Sequence, residues 1–163
     1  MTDFLIRPLT ASDADWVRAW IAAHWAAPYV VVHGVVYTPD NLSGFAAFEV
    51  GRVVGLITYT VADDACEIVT LDSHSGGRGV GTALVEAVVG AARAVGCRRL
   101  WLITTNDNLD ALRFYQRRGF RLAAVYPGAV EAARRLKPQI PLVGDYGIPI
   151  RDEIALEMPL AVP

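Results

Sequence analysis

The chain has 163 residues, 53% of them hydrophobic and 20% charged, enough for one domain with a true core and far from a disordered composition. Its 15 basic and 17 acidic residues leave a net charge of −2, which excludes the broad basic surface that binds nucleic acid or an anionic membrane. An anionic ligand would need a local site instead.

Read from the start, Met1 to Pro8 lacks the basic start and long apolar run of a signal peptide. Glu49, Arg52, Glu86 and Arg93 cut the apolar stretches well short of the roughly 18 residues that span a bilayer. The expectation is a soluble, cytoplasmic, single domain over residues 1–163, as monomer or homodimer.

Phe4 to Arg7 predicts a short strand. Ser12 reads as an N-cap with Asp15 as a partial capping box, followed by Trp16, Val17, Trp20, Ile21 and His24 at helical spacing. Residues 25–44 are punctuated by Pro28, Gly34, Pro39 and Gly44 and read as a loop with short elements. Phe45 to Val50 and Arg52 to Val61 predict a hairpin at Gly51, and after an Asp63-Asp64 turn Cys66 to Leu71 extends the meander.

After Ser75 the pattern changes. A glycine-rich run to Gly81 leads into a helical period with Leu84, Val85, Val88, Ala92 and Val95 on one face, ended by Gly96. Arg99 to Thr104 is a strand, Asn108 to Arg118 a helix closed by Gly119, and Phe120 to Val125 a strand. Gly128 to Lys137 is a short helix and Ile154 to Leu160 a last strand. The order predicts an α/β (α+β) fold: a mixed, mostly antiparallel sheet of about six or seven strands flanked by helices.

Cys66 and Cys97 are too few for a disulfide scaffold and read as small core residues. His24, His33 and His74 are scattered, so no metal site is expected.

The glycine loop is the first feature with chemistry in it. Glycines between a strand and a helix permit a tight turn and leave several N–H groups at the helix start facing outward, a ready anion site. This places a phosphate or pyrophosphate at Arg78 to Thr82. A dinucleotide fingerprint fails, because Thr82 or Leu84 stands where its last glycine is required. A P-loop fails as well: Gly76 and Gly81 are rightly spaced, but Thr82 occupies the lysine position.

The second feature is Asn108-Leu-Asp-Ala111-Leu-Arg-Phe114-Tyr115-Gln-Arg-Arg-Gly119-Phe120. Asn106 or Asn108 can cap its helix, Ala111, Phe114 and Tyr115 share a face, and Arg117 and Arg118 suit the negative helix end. On these grounds alone Tyr115 is a core aromatic.

Together the two stretches resemble the GNAT superfamily of N-acetyltransferases. Gly79-Val80-Gly81 opening a helix is similar to the family's acyl-CoA motif, Arg/Gln-x-x-Gly-x-Gly/Ala, and Asn108 to Phe120 is similar to its second motif about 30 residues on. The resemblance runs from about Phe4 to Tyr126 and departs at one point: Gly76 stands at the Arg/Gln position, so the pyrophosphate contact of that side chain is either missing or supplied by Arg78. It implies acetyl-CoA as cosubstrate and an amine as acceptor. The backbone of Leu71 and Ser73 would line the pantetheine and acetyl group. Amides of Arg78, Gly79, Gly81 and Thr82 would hold the pyrophosphate. Asn108, helped by Asn106, would bond the pantetheine arm, and Tyr115 would stand near the thioester sulfur.

Acetyl transfer needs a neutral amine, a polarised carbonyl and a proton for the leaving thiolate. A backbone N–H aimed at the oxyanion is typically worth on the order of 3 kcal/mol. A phenol of pKa about 10 protonates a thiolate of pKa about 8.5 only if the site shifts one of them, and Tyr115 is the candidate acid. Glu67, which strict alternation puts on the face of Val69 and Leu71, is the candidate base; Asp72, His74 or a water chain are the alternatives.

For the acceptor, Trp25, Tyr29, His33 and Tyr37 are candidates for an apolar pocket or for packing on the first helix. Arg134, Arg135 and Lys137 read as a solvated helix end. The expected function is direct acetyl transfer in a ternary complex, with no covalent intermediate because neither cysteine falls in a motif. The rival is a non-catalytic acyl-CoA-binding domain.

Overall fold

A computed structural model describes residues 3–74 and 78–161. A seven-stranded sheet has the order β1-β4-β5-β6-β7-β9-β8, where β1 is Leu5–Pro8, β4 Ser43–Glu49, β5 Arg52–Ala62, β6 Ala65–Ser73, β7 Arg99–Thr105, β8 Arg121–Tyr126 and β9 Glu153–Pro159. Helices α1 (Ala14–His24), α2 (Val80–Ala94), α3 (Leu109–Gln116) and α4 (Ala129–Leu136) accompany it. Between α1 and β4 a separate hairpin pairs β2 (Val30–Val32) with β3 (Val35–Tyr37).

Neighbouring strands run antiparallel except β6 and β7, which are parallel. A parallel pair needs a crossover, and α2 supplies it. Its Val80, Leu84, Val85, Val88 and Ala92 pack with Ile57, Cys66, Ile68, Leu100 and Leu156 on one face of the sheet. The opposite face carries Val17 and Ile21 of α1 and Val30 and Val32 of β2, packed on Leu56 and Val69. Each face thus has its own apolar layer, as expected for a sheet covered on both sides.

Two details depart from the sequence expectation, the entry to α1 and the end of α2. Chain entry to α1 is organised two residues earlier than Ser12: Asp13 accepts the Thr10 N–H at 2.8 Å. Its carboxylate also takes the Arg7 guanidinium and the Trp16 indole N–H, so Asp13 rather than Asp15 closes the turn. The 25–44 stretch holds the β2–β3 hairpin, whose two-residue loop has φ 48° at His33 and 80° at Gly34, the positive pair that matches strand twist. Val95 is 67% exposed because the helix has already ended at Ala94. Gly76 lies outside the described residues.

Candidate active site

Antiparallel pairing of β5 with β6 slips by one residue in mid-strand. Thr58 stands opposite Thr70, but Tyr59 stands opposite Ile68, so Val69 is the extra residue of a β-bulge. Before the bulge Cys66 and Ile68 face α2 and Glu67 faces the α1 side. After it Leu71 packs on the α2 side, while Thr70 bonds Thr58 at 2.6 Å and Asp72 meets two α1-side indoles. Glu67 therefore does not share a face with Leu71. Strict alternation, assumed from the sequence, is reversed by one inserted residue.

Just beyond the bulge, β6 and β7 part. Their parallel register ends at Ile68 opposite Leu102, although β6 continues to Ser73 and β7 to Thr105. The β6 backbone after Ile68 is consequently not paired with β7.

On the α2 side of this gap lies a cavity of about 450 Å³. Its walls include Leu71 and Ser73 from β6, Gly79, Gly81 and Thr82 from the start of α2, and Asn108 and Tyr115 from α3. Gly79 has φ 84° and open space where a Cβ would stand, so the left-handed backbone is what requires glycine. Gly81 is small for another reason: a Cβ there would come within 3.1 Å of the Phe114 ring. The loop and the second motif thus touch through a missing side chain.

Asn108 caps α3, its Oδ1 accepting from the Ala111 N–H at 3.2 Å. Asn106 is committed elsewhere: it donates to the Pro149 carbonyl and accepts from the Arg151 and Asp152 N–H groups, which removes it as a helper of Asn108. Tyr115 is buried edge-on to Phe114 and Phe120. Burial, reinforced by the charge of Asp72 and opposed by that of Arg118, pushes its phenol well above the ordinary value, so the group is protonated through the neutral range.

Two arginines lie near the start of α2. The Arg78 guanidinium makes a two-pronged ion pair with Glu49. Arg118, read from sequence as a helix-end charge, turns back over the Phe114 ring at 3.6 Å and donates through Nε to the Thr82 hydroxyl at 2.9 Å. It joins the cavity wall and brings a positive charge to the first turn of α2. Its i,i+4 spacing from Phe114 is a sign visible in the sequence; its bond to Thr82 has none.

On the opposite side the indole N–H groups of Trp20 and Trp25 both donate to Asp72, at 3.2 and 2.9 Å. His74 stacks against Trp20 and His24. Glu67 is buried and accepts the Tyr37 hydroxyl at 2.8 Å; burial raises its pKa, opposed by that bond and by His33.

A second cavity of about 370 Å³ lies on this side, with Trp25, Val30, Thr105, Lys137, Ile150 and Glu153 among its walls. His33 reaches Glu153 through its backbone N–H at 2.9 Å, and Tyr29 bonds Gln139. Of the four candidates, Trp25 lines this cavity, and Trp25 and Tyr37 also pack in the apolar layer with α1. Lys137 is not a solvated helix end: it is 5% exposed and donates to the Trp25 carbonyl.

Residues 11–120 match the family model described as acetyltransferase (GNAT) family. The chain belongs to that family. It is an acyl-CoA-dependent acetyltransferase. The chain is 50% identical to the uncharacterized protein YdhI of Bacillus subtilis (strain 168) over 136 residues, 83% of this chain and 85% of YdhI. Its fold matches the IAA acetyltransferase from Bacillus cereus ATCC 14579 with TM-score 0.74 and 20% identity, covering 96% of this chain and 99% of that one. It also matches a GNAT family acetyltransferase from Elizabethkingia anophelis, solved with acetyl-CoA bound, with TM-score 0.69 and 20% identity over 98% and 100% of the two chains. The GNAT match ends at Phe120. The α2-side cavity falls inside it, whereas α4 and the 137–153 walls of the second cavity fall outside.

Among the described residues, no helix is long and apolar enough to cross a membrane.

Proposed function

We propose that the enzyme moves an acetyl group from acetyl-CoA directly to the primary amine of a small molecule or peptide within a ternary complex. The observation that carries this reading is the parted β6–β7 pair, with one cavity lined by the end of β6 on one face of the sheet and a second at the end of β7 on the other. Donor and acceptor entering from opposite faces would meet there without an enzyme-bound acyl group.

The amides of Arg78, Gly79, Gly81 and Thr82 would hold the pyrophosphate at the helix start, with Arg118 adding charge. Asn108 and the β6 backbone at Leu71 and Ser73 would hold the pantetheine and acetyl group. N–H groups on the β6 edge that β7 leaves unpaired would stabilise the oxyanion as it develops. Glu67, on the acceptor side, would take the amine's proton, and its raised pKa suits a base working nearer neutrality. Tyr115, kept protonated by burial, would hydrogen-bond the leaving thiolate and pass its proton on only where the site raises the thiolate's pKa as well, since its own upward shift opposes the transfer. Both cysteines are buried, and burial lifts the Cys66 thiol to about 12, which supports a route with no cysteine nucleophile.

Acetyl-CoA at 100 times its Kd adds roughly 2.7 kcal/mol, a Tm increase of about 5–10 °C for a chain of this size. Thiol release with an amine panel then reports transfer. A Tm shift with ATP or NAD but none with acetyl-CoA overturns the reading.

A further inference from the structure

Lys137 is the anomaly of the second cavity. The residue is only 5% exposed, yet no carboxylate lies within 4 Å of its ammonium among the described residues. It has the Trp25 carbonyl as hydrogen-bond acceptor and the Tyr29 ring at 5.7 Å. Three donors sit on an ammonium, so this arrangement leaves hydrogen-bonding capacity on a group that lines the cavity. Buried charges are ordinarily paired, because taking an ion out of water without a counter-ion is costly. The protein has placed a cation where its own acids do not neutralise it, and burial lowers its pKa accordingly.

The surroundings define what fits. Val30, Val130, Ile140 and Ile150 provide apolar wall. Trp25 links the cation to the gap: its carbonyl accepts from Lys137 while its indole donates to Asp72 on β6. One tryptophan therefore separates the ammonium from the open part of the strand. The same wall includes Asp107 and Glu153, whose carboxylates are already steadied by the Asp145 and His33 N–H groups and suit the drawing in of a protonated amine.

Building on the transfer reading above, we propose that the second cavity binds an acceptor with an amine, an apolar body and a carboxylate that pairs with Lys137, as in an apolar α-amino acid. The carboxylate supplies the missing counter-ion, and the amine is left to reach the β6–β7 gap.

The test compares leucine, phenylalanine and tryptophan with their own amides, using the full-length protein. An amide's α-amine has a pKa near that of a peptide N-terminus, about 8, and is more often neutral than the acid's. Without anion recognition the amides are therefore the better acceptors. With it, at least one acid exceeds its amide in kcat/KM by tenfold or more, and Lys137→Met brings that ratio to one or below. The acetyl-CoA-induced Tm shift should be the same in the variant. A parallel calorimetric titration of each pair into CoA-saturated wild-type protein reads binding without turnover and without any variant. Tighter binding of an acid than its amide by tenfold or more supports the proposal; equal or weaker binding of every acid overturns it. Loss of all amine-dependent thiol release would overturn the transfer reading, while the titration would still decide the role of Lys137.

Discussion

The two cavities lie on opposite faces of one sheet but are built from different materials. On the α2 side the wall comes from three pieces, the end of β6, the loop and first turn of α2, and the length of α3 with Arg118 just beyond it, and glycine or alanine stands at Gly79, Gly81 and Ala111. On the α1 side it is mostly side chains, brought from α1, β2, the end of β7, α4 and the 139–153 segment. Backbone amides recognise a chemical feature shared by many ligands, such as a pyrophosphate, and they ask of the sequence only that no Cβ intrude. Side chains from distant segments recognise one ligand and change with every substitution. Under the proposed function, the contrast separates a common donor from a particular acceptor.

Substitutions on either side should therefore fail in different parameters. The largest effect is expected at Tyr115→Phe, which keeps the packing against Phe114 and Phe120 but removes the proton donor. kcat should fall about 10²- to 10⁴-fold with the KM for acetyl-CoA little changed, in steady-state thiol-release assays. Glu67→Gln should lower kcat about 10²-fold and alter its pH profile. Only the ionised carboxylate is a base, so wild-type activity should increase with pH through a pKa lifted above 4.5, and the glutamine variant should lose that limb. An unchanged limb in Glu67→Gln that disappears in Asp72→Asn would transfer the role to Asp72.

Arg118→Met should affect the donor alone. A charged hydrogen bond contributes about 1.5–3 kcal/mol, so the KM for acetyl-CoA should increase about tenfold or more while the KM for the amine stays put. An equal effect on both substrates would erase the distinction between the cavities. The smallest effect is expected at Gly79→Ala. Space around the new methyl is open, so only the left-handed backbone is strained, by about 1–2 kcal/mol. The Tm should fall by about 2–8 °C, measured by thermal melt without ligand.

What is legible in the sequence follows the same division. Gly79, Gly81, Asn108 and Tyr115 lie in local patterns of turn, cap and helix face, and the structure brings all of them to one cavity. The element order also emerges from periodicity, because each strand and helix announces itself within a few residues. Arg118 is misread from sequence since its partner, Thr82, is 36 positions away, and local rules describe it equally well as a helix-end charge. Lys137 is misread for a similar reason: its burial depends on Trp25, 112 positions distant. The face of Glu67 is lost to a register slip that leaves no mark on a strand rich in Ile, Val and Thr. Val69 looks like any other residue of β6.

That slip has a consequence for how such a chain can vary through its history. Loops usually absorb gained or lost codons with little harm. In β6 the loss of a single codon at Val69 would restore strict alternation with Leu71 and Ser73 still on their present face, but it would erase the bulge beside which β6 parts from β7. A substitution at the same position would change only one side chain. Chain length between Glu67 and Leu71 is thus held more tightly than composition, and drift in this segment should proceed by replacement rather than by deletion or insertion.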